Sequence, residues 1–120
     1  MTRHDGRAEL GARGETLVAA HLEQQGFVIV ARNVRVGRLE LDLIARRGPL
    51  LVVCEVRTRS SRDFLDPIVT IDRAKVERIR RAARSWIFGQ RVPHGEIRFD
   101  AASVVLNELG SEIAYYEAAF

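Results

Sequence analysis

The chain has 120 residues, 47% hydrophobic and 29% charged, with no low-complexity tract, so it is not a disordered polymer and residues 1–120 read as one domain with a core of its own. No apolar run reaches membrane-spanning length, which argues against a bilayer role. The formal net charge of +3 and the pI near 9.7 lean mildly toward polyanionic partners.

Residues 8–25 read as a helix: Leu17, Val18, Ala19 and Leu22 form its apolar stripe, and Gly26 stops it. "FVIVARN" (27–33) has the branched and aromatic run of a strand, 38–46 and 50–57 give two more, and "RGP" turns between them. The polar stretch "TRSSRDFLDP" reads as a loop. A second helix is expected over 70–88, with Thr70 as N-cap and Val76, Ile79, Ala83, Trp86 and Ile87 on its apolar face. Strands over 96–106 and at "EIAYYEA" complete an α-β-β-β-α-β-β order. Short links make the first three strands a meander. The long helix crosses over to a strand parallel to the third, giving an α/β mixed sheet flanked by helices.

The middle hairpin carries charge where strands are usually apolar. By alternation, Glu40, Asp42 and Ile44 share one face of the second strand, and Leu39, Leu41, Leu43 and Ala45 share the other. In the third strand Leu51, Val53, Glu55 and Arg57 share a face. A tight turn at Gly48-Pro49 sets Asp42 opposite Glu55 and Glu40 opposite Arg57, with Cβ atoms roughly 5 Å apart. Two carboxylates that close repel unless a cation lies between them, and Mg²⁺ or Mn²⁺ is the usual one. The alternative is a charge cluster without chemistry, with Arg57 or Arg59 neutralising Glu55. Glu15 adds weight to the metal reading. It stands three, four and seven residues before Val18, Ala19 and Leu22, so it should point at the sheet.

Asp42, a spacer and then Glu55-Val56-Arg57 resemble the PD-(D/E)xK signature of restriction-endonuclease-like nucleases. More specifically the chain resembles the YraN family, an uncharacterised bacterial group related to Holliday-junction resolvases. The pieces are "GE" at 14–15, "ARN" at 31–33, "ELDLIA" at 40–45, "VVCEVRTR" at 52–59, Lys75, and "RFD" at 98–100. The resemblance implies a restriction-endonuclease-like αβββαβ core and a DNA substrate. It also implies a metal held by Asp42 and Glu55, with the Val56 carbonyl as a further ligand, Glu40 auxiliary and Glu15 at the edge of the site. The chemistry implied is metal-assisted phosphodiester hydrolysis. A homodimer is expected by analogy with resolvases.

Two positions depart from the family pattern. Leu39 replaces a glycine, and Arg57 replaces the signature lysine. A guanidinium stays protonated, so Arg57 cannot take a proton from water, though it can stabilise a phosphorane electrostatically. Lys75 is the only lysine beside eighteen arginines, and it flanks the apolar face of the second helix, from which it can lean toward the strand ends. Arg73 and Arg78 on that helix, with Arg59 and Arg62 after the third strand, are candidates for gripping phosphates. The alternative to a nuclease is a catalytically inactive nucleic-acid-binding module of the same fold. The apolar context of the lone Cys54 and an N-terminal stretch without a signal-like apolar core fit a cytoplasmic protein.

Overall fold

A computed structural model describes residues 6–60 and 72–120. The elements are α1 (Gly6–Gln24), β1 (Val28–Val36), β2 (Leu39–Arg47), β3 (Leu50–Ser60), α2 (Arg73–Gly89), β4 (Glu96–Asn107) and β5 (Gly110–Tyr116). The strands form one sheet in the order β1-β2-β3-β4-β5. β3 and β4 are parallel, and the other neighbours are antiparallel. This is the mixed α/β architecture expected from the sequence, with α2 as the crossover that a parallel pair requires. No helix among the described residues is long and apolar enough to cross a membrane.

Each helix covers one face of the sheet. Val18, Ala19 and Leu22 of α1 pack with Leu43, Ala45, Val52, Cys54, Ala102 and Val104. Ile79, Ala83 and Ile87 recur every four residues along α2 and pack with Leu41, Ile44, Leu51, Val53 and Phe99. β3 is therefore covered on both faces, which is why its first half is a continuous apolar run.

A carboxylate ties the C-terminal strands together. Asp100 is fully buried and accepts from Arg98 Nε and Nη2 at 2.8 and 2.9 Å, from the Tyr115 hydroxyl at 2.5 Å and from the Ala118 N–H at 2.9 Å. Four donors on one carboxylate offset its desolvation, so the "RFD" piece has a structural role here.

Two boundaries near the site differ from expectation. β3 runs on to Ser60 because it pairs with β4 as far as Ser60↔Leu106, so Thr58, Arg59 and Ser60, expected in the loop, belong to the strand, and the rest of the expected loop lies outside the described residues. α2 begins at Arg73, with Asp72 as N-cap accepting from the Lys75 N–H at 2.7 Å. Thr70, the expected cap, lies outside the described residues, as does Arg62. The strict alternation along β2 also fails. Leu41 packs on the α2 side with Ile44, while Leu43 and Ala45 pack on the α1 side. The break falls at Asp42, where the sheet is irregular.

α1 approaches β3 most closely at Gly14. A Cβ there would lie 1.7 Å from Thr58 Oγ1 and 2.8 Å from Thr58 Cβ. Only glycine allows the helix to sit this low on the strand. Gly14→Ala gains about 1 kcal/mol of helix propensity and costs about 1–3 kcal/mol of overpacking, so the clash wins. Urea unfolding should show a net loss. Adding Thr58→Ala should recover part of it, because the Oγ1 and Cγ2 contacts disappear. A stabilised Gly14→Ala protein would contradict this packing.

Candidate metal centre

The β2–β3 ladder holds the expected register from Arg47↔Leu50 to Leu43↔Cys54 and ends there. The expected pairs Asp42↔Glu55 and Glu40↔Arg57 are not formed. In their place each strand's backbone donates to the other's carboxylate. The Val56 N–H donates to Asp42 Oδ2 at 2.8 Å, and the Asp42 N–H to Glu55 Oε2 at a long 3.4 Å. Asp42 is unmatched toward β1 as well: the β1–β2 register passes from Arg32↔Leu43 to Val34↔Leu41, skipping Asn33 and Asp42. Asn33 there adopts a left-handed φ of 52°, which asparagine tolerates better than most residues. The sheet thus parts on both sides of Asp42.

Into this parting the chain brings further acids. One carboxylate oxygen from each of Glu15, Glu40 and Asp42 lies within 4.8 Å of the others. Glu15 descends from α1, one residue past the Gly14 contact. Asn33 hydrogen-bonds its side chain, and Arg32 nearby donates to Thr16 Oγ1 at 3.0 Å. Glu40 is exposed and meets Arg35 at 4.0 Å, a contact of little energetic weight. Glu55 is only 6% exposed and lies beside Asp42, outside the group of three.

The electrostatics follow from burial and like charge. Burial, and next the neighbouring Asp42, push the Glu55 carboxyl up to about 7. Burial also raises Asp42, against the pull of the Val56 N–H and the Arg57 charge. Glu15 is raised by burial and then by Asp42. Half-buried Lys75 and Arg57 lower both Asp42 and Glu55, yet among the described residues neither cation comes within 4.0 Å of those carboxylates. Arg57 therefore does not close the site with a salt bridge.

These residues fit a hard divalent ion. All the side-chain donors are carboxylate oxygens, the set that suits Mg²⁺ or Mn²⁺. Oxygens about 2.1 Å from one ion lie at most about 4.2 Å apart, so the observed spread needs only a small rotation to close. The Val56 carbonyl belongs to the same peptide segment as Glu55. Arg59 follows on β3, half-buried, with its Nε unpartnered among the described residues, and Arg73 and Arg78 are exposed on α2.

Sequence reasoning missed Asn33. Its signal was an asparagine interrupting a strand made of branched residues, arginines and one alanine; it closes the "ARN" piece at 31–33, to which no role was assigned. The left-handed backbone and the bond to Glu15 give it a positioning role.

Glu55 sets a pH dependence of stability. Its folded value of about 7 exceeds the ordinary 4.5, so between these values the folded chain holds a proton that the unfolded chain has released. Stability is then lost as pH rises through that window, by up to about 3 kcal/mol. Without divalent ions, the melting temperature should fall between about pH 5 and about pH 8. Glu55→Gln should flatten that fall and melt higher at the upper pH. Parallel profiles for the two proteins would contradict the burial of a strained charge.

The "Uncharacterised protein family UPF0102" model matches residues 14–104, from the Gly14-Glu15 pair into β4. The chain is similar to the UPF0102 protein of Sorangium cellulosum, with 46% identity over 97% of this chain and 83% of the relative. It is also similar to that of Nocardioides sp., at 44% over 87% and 84%, and to that of Streptomyces coelicolor, at 40% over 89% and 84%. With one family model spanning most of the chain, the protein belongs to the UPF0102 family, the YraN group that its motifs resemble.

Proposed function

We propose that this protein is a metal-dependent, nuclease-like protein that acts on DNA and hydrolyses phosphodiester bonds. The observation that carries the reading is the convergence of Glu15, Glu40 and Asp42 beside buried Glu55, with the Glu15, Asp42 and Glu55 carboxyls raised. Like charges held together out of water are costly, and a divalent cation offsets that cost while recruiting phosphate.

In this reading Asp42, Glu40 and Glu15 would hold Mg²⁺ or Mn²⁺, with Glu55 and the Val56 carbonyl as the further ligands that β3 would supply. When bound, the ion polarises the scissile phosphate and lowers the pKa of water. The chain's own residues do the rest. The Val56 N–H fixes the Asp42 carboxylate so that it cannot swing away from the gap. The Asn33 side chain favours the charged form of Glu15. Arg57 places a permanent positive charge next to the carboxylates, where it can stabilise negative charge developing on phosphate oxygens. Lys75 approaches from α2 and is the one nearby cation able to give up or return a proton. Arg59, Arg73 and Arg78, together with Arg62, would hold the flanking backbone.

A second reading has a specific observation in its favour. Arg57 occupies the position of the signature lysine, and arginine cannot serve as a base. A nucleic-acid-binding module that retains the acids without turnover would have this residue set.

Cleavage of end-labelled four-way-junction, duplex and single-stranded DNA in Mg²⁺ or Mn²⁺ separates the two. Wild type should cut, and Asp42→Asn prepared identically should lose at least about 100-fold in rate. Lys75→Ala should impair cutting more than Arg73→Ala does. If wild type binds DNA at low salt but never cuts, the silent module is correct. Equal cutting by wild type and Asp42→Asn would remove the chemistry from this site.

A further inference from the structure

A groove of about 550 Å³ runs between the β1–β2 hairpin end and α2. Val36, Leu39 and Ala82 form an apolar floor, and Arg38, Arg78 and Arg81 line it with positive charge. Among the described residues no acid lines it. Arg78 and Arg81 stand three apart on one stripe of α2, with Ala82 beside them. Arg80 is turned elsewhere, its guanidinium 4.9 Å above the Phe99 ring.

The groove and the acid cluster draw on the same two elements, β2 and α2. Leu39 immediately precedes Glu40. Arg78 lies three residues past Lys75, which acts on Asp42 and Glu55. A strand running from Lys75 along α2 would meet Arg78 about one helical turn further on.

We propose that this groove receives an unpaired nucleotide of the DNA strand that passes the acid cluster. The base lies over Val36, Leu39 and Ala82, and its phosphates are held by Arg38, Arg78 and Arg81. This rests on the reading of the acid cluster as a DNA site, and it adds the kind of DNA preferred. Charge and shape both favour such an occupant. The groove is within the size range of small-ligand sites, and an apolar floor between arginines matches a flat base flanked by anions. Guanidinium planes also stack on bases. A paired duplex keeps its base faces stacked inside and offers only base edges, sugar and phosphate, so no flat face would cover the apolar floor.

The test measures fluorescence anisotropy of the whole chain in EDTA, which separates binding from cleavage. The probes are a blunt duplex of about 20 base pairs and the same duplex with a thymidine tail of about 8 nucleotides at either the 3′ or the 5′ end. The variant is Arg38→Ser/Arg81→Ser, both exposed positions, with its fold checked by circular dichroism. Wild type should bind one tailed duplex about 10-fold tighter than the blunt one. The variant should lose that preference while its affinity for the blunt duplex stays within about twofold. Its salt slope on the tailed probe should flatten by about 1.4, or 0.7 for each lost phosphate contact. Blunt-duplex binding with no preference for a tail overturns the groove assignment and leaves the DNA reading standing. An equal loss on blunt and tailed probes overturns it too, by making the arginines a general phosphate track. No binding to any probe overturns both.

Discussion

The bond from the Val56 N–H to Asp42 Oδ2 is the constraint on which the rest of the site depends. A regular antiparallel ladder would have carried β2 alongside β3 past Asp42, with carboxylate facing carboxylate. The chain instead ends the ladder at Leu43↔Cys54 and lets side chains accept the backbone donors left over. Buried N–H groups must be satisfied, and here an acid satisfies one. The same bond holds Asp42 at the mouth of the parted strands, where Glu15 can reach it from α1. β3 stays extended because its other edge remains paired with β4 through to Ser60. Gly14 then allows α1 to press down on Thr58, bringing Glu15 within reach.

Much of the fold was legible because periodicity reports it directly. The four-residue spacing of Ile79, Ala83 and Ile87 gave the buried face of α2, and the turn at Gly48-Pro49 set the register as far as Cys54. The parallel pairing of β3 and β4 followed from the length of the crossover. The four acids were legible as one group, from charges in apolar strands and from Glu15 on the helix stripe, although the approach of Glu15 to Glu40 and Asp42, with Glu55 to the side, was not. Alternation placed Leu41 beside Leu43, and it failed because the parting at Asp42 shifts the phase of β2 by one residue. The bond from Asn33 to Glu15 depends on a left-handed residue inside a strand, which no pattern of hydrophobicity encodes. The cap at Asp72 was passed over in favour of Thr70 because both are acceptable caps and only the backbone selects one.

Membership of the UPF0102 family gives the chain relatives of similar length but no chemistry, so the chemistry has to come from the side chains themselves. The Glu15, Asp42 and Glu55 carboxyls, raised by burial first and then by acidic neighbours, make a site that resists its own charge and is relieved by protons at low pH; the proposed cation would do the same at neutral pH. Arg57 and Lys75 ease the strain from a distance without ion-pairing to the acids. That leaves the carboxylate oxygens available, which a salt bridge to the forked guanidinium would not.

The most direct measurement is Mn²⁺ binding by the whole chain at neutral pH, read from the loss of the free-ion electron paramagnetic resonance signal, for wild type beside Asp42→Asn. Saturable binding by wild type, weakened at least about 10-fold in Asp42→Asn, is the result expected of a cation site built at the parted strands. Absence of binding by the folded wild-type protein, or equal binding by the two proteins, would contradict it.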